Sequence, residues 1–275
     1  NACALDRCMD RCRQIFNWEE KYPVRDMGNG KVRTAGVAMA MQGSAISNCD
    51  VGSVTIKLSD EGFYNVIVGC TDMGTGCDTI IAQFVADSLD TDIDNIAVFG
   101  VDTDTSPYDS GSYASSTTYL TGMAAVKAAE QMREKLLQLA AKILEEDITK
   151  LEFDGKRVFC EETGKEVSLF DLATASMVNN EIALGVTCSH SSPVSPPPFM
   201  AACAEVEVDP ETGAIELLDY TACVDCGTVV NPNLATVQAE GGLGQGIGMT
   251  LYENIQYTEK GQMINNSFMQ YKIPT

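Results

Sequence analysis

A glycine-rich loop, Gly69–Gly76, lies between a predicted strand and a predicted helix, and it restricts the fold more than any other feature of the sequence. The apolar run Phe63–Val68 leads directly into the loop. Apolar residues at helical spacing follow the loop from Asp78 to Ser88, and Ile96–Val101 then has the pattern of a buried strand. This order of strand, loop, helix and strand is typical of α/β proteins, in which the helix packs on the sheet.

The rest of the chain also alternates between strand and helix patterns. The other predicted strands are Val32–Ile46, Gly52–Leu58, Leu151–Phe159, Glu166–Leu169, Ala202–Val208, Ile215–Val224 and a hairpin of Glu253–Tyr257 with Gln262–Asn265. The other predicted helices are Leu5–Phe16, Thr117–Glu146, Phe170–Val178 and the glycine-rich Val229–Thr250. We therefore predict an α/β (α+β) fold with two mixed-sheet subdomains and packed helices. Pro193–Pro198 breaks regular structure, so we expect residues 3–190 to form the first part and residues 199–275 the second.

The composition excludes two classes of partner. Acidic residues outnumber basic ones 39 to 18, for a net charge of −21, whereas nucleic acids and anionic membranes require Lys and Arg. Hydrophobic residues make up 45% of the chain, which is enough to build a core. No uncharged apolar run approaches the roughly 20 residues that cross a bilayer, and the N-terminus lacks the apolar core of a signal peptide. We expect a cytoplasmic protein, and we regard Asn1-Ala2 as the remnant of a cleaved tag.

The eleven cysteines are odd in number and scattered through apolar stretches, which favours free buried thiols over disulfides. Cys8 and Cys12 are one helical turn apart, and we expect them to pack on the apolar side of their helix. Cys223 and Cys226 form the only CxxC pair, and His190 is the only histidine. A cysteine-based metal module built on this pair is an alternative hypothesis.

Three glycine- and hydroxyl-rich stretches are candidates for ligand binding. In Gly69–Gly76, free N–H groups and the dipole of the following helix favour an anion, although a tight structural turn is the alternative. Asp109–Thr118 has seven hydroxyl-bearing residues in ten, more than the helix cap that any protein needs. Val224–Pro232 is followed by Gln238–Gly248, where glycines within a helix suggest the close approach of a backbone or a cofactor.

In their order along the chain, these stretches resemble the large subunit of the molybdenum hydroxylases, the xanthine dehydrogenase and aldehyde oxidase family. The matching motifs are Thr-Asp-Met-Gly-x-Gly, Ser-Gly-Ser-Tyr-Ala-Ser, Val-Asp-Cys-Gly-x-x-x-Asn-Pro, Gln-x-Glu-Gly-Gly and the closing Asn-Ser-Phe-Met-Gln-Tyr-Lys-Ile-Pro-Thr. The resemblance covers nearly the whole chain and is weakest before Gly36. It implies the molybdopterin-binding region of that family.

The resemblance implies a molybdopterin cofactor with molybdenum, often as its cytosine dinucleotide, and hydroxylation of purines, aldehydes or N-heterocycles with oxygen from water. Iron–sulfur clusters and FAD on partner subunits or domains would accept the electrons, and a homodimer is compatible with the family. The implied cofactor-binding residues are Met73, Gly74, Thr75, Gly76, Ser112, Ala114, Ser115, Thr117 and Gln238. Of these, Ala114 would lie against the molybdenum without being a side-chain ligand. Met39 would line the substrate channel.

Two residues depart from the pattern of the family. Thr75 stands where Gln is usual, which shortens the expected side-chain contact, and Asp72 stands where Glu is usual. The catalytic glutamate of the family lies in a Gly-x-Gly-Glu motif beyond the Lys-Ile-Pro-Thr segment, so no catalytic residue is assigned here. We therefore expect a truncated piece of an enzyme that is inactive and free of molybdenum when isolated. A non-catalytic interaction or assembly domain is a second alternative.

Overall fold

The computed structural model describes residues 3–179 and 183–274, so Asn1-Ala2 and Thr275 lie outside the described residues. The helices are α1 (Leu5–Phe16), α2 (Trp18–Lys21), α3 (Cys77–Ser88), α4 (Thr117–Leu144), α5 (Leu169–Asn179) and α6 (Pro232–Leu251). The strands are β1 (Arg25–Asp26), β2 (Val32–Met41), β3 (Gly52–Leu58), β4 (Tyr64–Val68), β5 (Ile96–Phe99), β6 (Glu152–Phe153), β7 (Arg157–Phe159), β8 (Glu166–Ser168), β9 (Gly185–His190), β10 (Phe199–Val208) and β11 (Ile215–Asp225).

The chain divides into two compact units. The first unit combines Asn1–Gln42 with Pro197–Thr275, and the second unit is Gly43–Pro196. One boundary lies within the proline-rich stretch that the sequence marks as a break. The other boundary follows Gln42, so the first 42 residues belong to the same unit as the segment from Pro197 onwards. The division of the cofactor-binding region into residues 3–190 and residues 199–275 stays a prediction.

The first unit is built on an antiparallel sheet with the strand order β1-β2-β10-β11. Helix α1 packs on β10 and β11 through Cys8, Cys12 and Phe16, which are its buried residues. Along β10, Glu205 and Glu207 are each buried and each paired with two cations. Glu205 lies beside Lys21 and Arg25, and Glu207 beside Lys31 and Arg33. The pairing compensates the burial of the carboxylates.

The second unit has a four-stranded sheet of order β5-β4-β3-β9, covered by α3 and α4. Strands β4 and β5 run parallel, and α3 is the crossover between them. Helix α4 approaches β3 so closely that a Cβ atom at Gly52 would lie 2.5 Å from the Thr121 nitrogen. A Cβ atom at Gly122 would lie 2.7 Å from the Phe84 ring, so this glycine permits a close contact between α4 and α3. A smaller antiparallel sheet of β6, β7 and β8 completes the unit.

The predicted class, a mixed α/β fold of several sheets with packed helices, is confirmed. Within the described residues, only the β5-β4-β3-β9 sheet contains a parallel pair. The extended segment predicted to reach Ile46 ends as a strand at Met41, and β9 was not predicted. The predicted hairpin after α6 is present as a short antiparallel pairing, in which a bridge joins Tyr257 to Met263 and Ile264 N donates to the Gln256 carbonyl oxygen at 2.8 Å. Strand β9 lies in a polar, serine-rich segment that has no strand-like alternation of apolar residues. It is a strand because its backbone pairs with β3.

The cysteines are free, as predicted. Those in the described residues form no disulfide, and seven of them are buried, including Cys8 and Cys12. None of the described helices has the length and apolar character that a membrane crossing requires.

Replacing Gly155 with alanine is expected to destabilise the second unit strongly. Gly155 has φ +84°, and a Cβ atom there would overlap the Asp90 carbonyl oxygen of the backbone. We expect Gly155→Ala to lower the free energy of unfolding by roughly 3 kcal/mol in urea denaturation. Gly164→Ala is the matched control, because Gly164 has φ +69° with nothing near its Cβ position. It should lose about 1 kcal/mol. Equal losses in the two variants would contradict the tight contact at Gly155.

Candidate functional site

The first candidate loop, Gly69–Gly76, joins β4 to α3 in the second unit. At its start, a Cβ atom on Gly69 would overlap the Pro107 carbonyl oxygen and lie 2.5 Å from Asp109 Cβ. The backbone of this loop is therefore in direct contact with the chain that leads into the second loop. Later in the loop, Gly74 and Gly76 have φ of 99° and 76°, a conformation that suits glycine.

The Asp72 carboxylate accepts hydrogen bonds from N–H groups of its own loop and of α3. Its Oδ1 atom lies 2.9 Å from Gly74 N and 3.1 Å from Gly76 N, and its Oδ2 atom lies 3.4 Å from Asp78 N. Burial by itself raises the pKa of Asp72, but the N–H donors outweigh burial and hold the pKa below its ordinary value. In this structure Asp72 therefore occupies the N–H groups of Gly74 and Gly76, and the binding of an external anion by this loop stays a prediction.

The surroundings of Asp72 are negatively charged. Burial raises the pKa of Asp78, and the charge of Asp72 raises it further. One group of possible metal ligands occurs in the described residues, with ligand atoms within 4.8 Å of one another, and it consists of Asp72, Cys77 and Asp78. The carboxylate of Asp72 also accepts hydrogen bonds from three backbone N–H groups. The alternative cysteine pair does not converge in this way, because Cys226 is exposed and Cys223 packs towards α1.

Asp109 organises the second candidate loop, Asp109–Thr118. Its Oδ1 atom accepts a hydrogen bond from Gly111 N at 2.8 Å, and its Oδ2 atom accepts one from the Thr121 hydroxyl at 3.0 Å. Ser112 Oγ donates to the Thr71 carbonyl oxygen at 3.3 Å. This bond joins the second loop to the first, so the structure brings two of the three predicted stretches together.

The segment before α4 is held in a left-handed conformation at two successive positions that are not glycine. Ala114 and Ser115 have φ of 53° and 55°. The Ala114 carbonyl oxygen accepts a hydrogen bond from Ala45 N at 2.8 Å, and the Tyr113 hydroxyl donates to the buried Asp50 at 2.7 Å. Such strain persists only where surrounding contacts hold it, and it is concentrated at functional sites.

The N-terminus of α4 has no side-chain cap. Ser116 occupies the cap position, but its hydroxyl donates instead to the Gly111 carbonyl oxygen at 3.2 Å. The Oγ1 atom of Thr117, the first residue of the helix, is buried and has no hydrogen-bond partner. A helix N-terminus attracts negative charge, and an orphaned buried hydroxyl is unfavourable unless something binds it. A ligand oxygen near Thr117 would satisfy this hydroxyl, so the residues present fit an anionic group.

The third stretch lies in the first unit, on α6. The Asn231 side chain caps this helix by accepting a hydrogen bond from Leu234 N at 3.1 Å. Gln238 lies on α6, and Met39 lies on β2 with 54% of its surface exposed. The glycines of α6 do not meet another backbone within the described residues, since the Cβ positions of four of them, Gly241, Gly242, Gly244 and Gly246, face open space.

Sequence reasoning missed three contributors to the site. Asp50 and Ala45 hold the Tyr113–Ala114 segment from a distant part of the chain, and no local pattern marks them. Asp72 was noted only as a departure from a motif, although an Asp two residues before a glycine is a usual signal for a side chain that binds backbone N–H groups.

The chain belongs to the family of molybdopterin cofactor-binding domains, since residues 11–275 match that domain. It is 34% identical to the probable hypoxanthine oxidase XdhD of Escherichia coli (strain K12), over 99% of this chain and 28% of that protein. It is 32% identical to the 6-hydroxypseudooxynicotine dehydrogenase complex subunit gamma of Paenarthrobacter nicotinovorans, over 90% of this chain and 32% of that one.

The fold is similar to that of quinoline 2-oxidoreductase from Pseudomonas putida 86. The TM-score is 0.82 and the identity 24%, with 98% of this chain and 37% of that chain covered. The chain thus spans 28% to 37% of the length of these proteins. The predicted family is confirmed by these comparisons.

Replacing Asp72 with asparagine tests its internal role. The lowered pKa of Asp72 means that its stabilisation is fully present above the unfolded-state pKa of about 4 and is lost as the pH falls through the lower folded-state pKa. We expect Asp72→Asn to lower the free energy of unfolding by roughly 1 kcal/mol at pH 7, and we expect this loss to shrink steadily as the pH falls below about 4. Asp60→Asn, in the exposed turn between β3 and β4, is the control and should match the wild type. A loss that does not depend on pH would contradict the role of the charge.

Proposed function

We propose that this chain is part of a molybdenum hydroxylase that oxidises purines, aldehydes or N-heterocycles with oxygen from water, and that it helps to bind the molybdopterin cofactor. Membership of the molybdopterin-binding family supports the cofactor. The observation that carries the proposal is the unpartnered buried Oγ1 atom of Thr117 at the uncapped N-terminus of α4. When bound, the cofactor would supply the two-electron oxidation chemistry.

The N-termini of α3 and α4 suit different parts of such a ligand. At α3, Asp72 already occupies N–H donors and adds negative charge, which disfavours a second anion. At α4, the described first turn carries no acidic residue, and the helix dipole is not compensated by a cap. We therefore assign the phosphate to the start of α4, with Ser115 and Thr117 as binding residues.

The uncharged pterin is assigned to the first loop. Met73 has 68% of its surface exposed, and the Cβ position of Gly74 faces open space, so a flat ring can approach both. Thr75 and Gly76 are the other two proposed pterin-binding residues of this loop. The Thr75 hydroxyl stands where the family usually has the longer amide side chain of Gln. The contact is made to the surface of the loop and not to the N–H groups that Asp72 holds.

The remaining assignments extend the same proposal. Ser112 and Ala114 lie in the strained second loop, where Ala114 would lie against the molybdenum. Gln238 would bind the cofactor from α6, and Met39 would line the substrate channel. We propose that the catalytic glutamate belongs to a Gly-x-Gly-Glu motif outside these 275 residues. We also propose that the cofactor is bound as its cytosine dinucleotide.

We further propose that iron–sulfur and flavin subunits or domains accept the electrons, that the whole protein is cytoplasmic, and that it forms a homodimer. One similar protein is described as a subunit of a dehydrogenase complex, which supports a multi-subunit assembly. The high negative charge supports a small-molecule substrate over nucleic acid.

The function is tested on the full-length protein that contains this chain, purified from a host that makes molybdopterin. We expect molybdenum in a one-to-one ratio by elemental analysis, and incorporation of ¹⁸O from labelled water into a purine, aldehyde or N-heterocycle. Molybdenum without turnover of any of the three classes would favour the non-catalytic alternative. Absence of molybdenum from the folded protein would overturn the proposal. The 275-residue chain alone is expected to hold no stoichiometric molybdenum.

Removing the Thr117 hydroxyl is expected to weaken cofactor binding without destabilising the protein. In the full-length protein, Thr117→Val should lower the molybdenum content per chain about tenfold under limiting cofactor, because a hydrogen bond to a charged group is lost. The cofactor-free protein should be as stable as the wild type, since an unpaired buried hydroxyl is removed. Thr79→Val, on the exposed side of α3, is the control. Equal molybdenum contents in both variants would contradict the assignment.

A further inference from the structure

The core of the first unit is unusually rich in thiols. Helix α1 presents Cys8, Cys12 and Phe16 to the sheet, and they pack with Cys203 of β10 and Cys223 of β11. We call these four cysteines the thiol cluster. The proposed cofactor site does not use it.

Two members of the cluster are in contact although they are far apart in the sequence. The Sγ atoms of Cys12 and Cys203 lie 3.4 Å apart, and the Cys12 thiol also lies 3.2 Å from the Thr221 carbonyl oxygen. Cys12 has no exposed surface and Cys203 has 2%. The sulfur atoms of a disulfide are about 2.05 Å apart, so the two Sγ atoms must approach by about 1.4 Å to form one.

We propose that Cys12 and Cys203 form a site of reversible oxidation, at which a peroxide converts the two thiols to a disulfide that fixes α1 to β10. The proposal is independent of the cofactor.

The reaction balances in two steps. One thiol attacks an oxygen of hydrogen peroxide, which gives a sulfenic acid and one water. The second thiol then attacks the sulfenic sulfur, the S–S bond forms, and the departing hydroxyl leaves with the thiol proton as a second water. The two thiols lose two electrons, and one peroxide is reduced to two waters. A thiol reductant reverses the reaction by exchange through a mixed disulfide.

The packing of α1 explains how a peroxide reaches buried sulfur atoms. Burial, together with the hydrogen bond to Cys203, raises the pKa of Cys12 to about 12, so the closed structure protects the thiol. The helix has only three buried side chains, Cys8, Cys12 and Phe16, and its N-terminus has no side-chain cap. A helix attached by so few side chains can detach without unfolding of the whole unit. Oxidation then occurs in the open state, and the disulfide holds the closed one.

The test uses the purified chain, first fully reduced and then treated with hydrogen peroxide, followed by alkylation of the remaining thiols. Cleavage after Asp and Glu places Cys12 on residues 11–19, Cys188 and Cys203 together on residues 182–205, and Cys223 on residues 220–225. We expect a cross-linked peptide in which fragmentation places the bond between Cys12 and Cys203, with Cys188 alkylated. We also expect the thermal midpoint of unfolding to rise by roughly 5–10 °C and to return after reduction, because the disulfide closes a long loop.

Matched variants separate this site from the other thiols. Cys203→Ala should lose both the cross-link and the rise in midpoint, whereas Cys160→Ala, a buried thiol of the second unit, should keep both. If Cys203→Ala does not fold, Cys203→Ser preserves the size of the side chain. The proposal is overturned if Cys12 links to Cys223 instead, if no cross-link to Cys12 forms, or if the midpoint still rises in the Cys203 variants.

Discussion

The close contact between α4 and β3 is the constraint on which the second unit depends. The buried residues of α4 include Ala124, Ala125, Ala128 and Ala129, and Gly52 of β3 lacks the side chain that would push the helix away. A longer side chain at any of these points would move the helix outward. Because Thr117 begins this helix, the same contact sets where its N-terminus lies relative to the loop that Asp109 organises.

Because the chain is acidic, the proposed anion site relies on a helix dipole and hydroxyl groups in place of basic side chains. The chain uses its two loop-bearing helix N-termini differently. At α3, a carboxylate of the protein takes the place that an external anion would occupy, and the low pKa of Asp72 reflects the N–H groups around it. At α4, the corresponding place has no carboxylate, and the Thr117 hydroxyl has no partner. Charge therefore distinguishes two loops that have similar compositions.

Much of the fold could be predicted from periodicity, since α1 and β3 have the predicted bounds and α3 and α4 differ by one or two residues at one end. The loops were also found, because glycine and serine clusters between periodic segments are local signals. Strand β9 could not be predicted because it depends on a distant partner, since it becomes a strand only through pairing with β3. The role of Asp72 is local, because its N–H donors lie within six residues, and the signal for it was present in the sequence.

The sequence by itself determined the order and kind of most elements, the acidic surface and the family motifs, because these follow from composition and from residues close in the chain. Only the tertiary structure decided which segments meet. It paired β2 with β10, placed Ala45 against Ala114 and brought Cys12 to Cys203. Such contacts depend on which helix and sheet faces pack together and on which backbone N–H and C=O groups still need a partner. The periodicity of apolar residues within one segment does not indicate the partner segment.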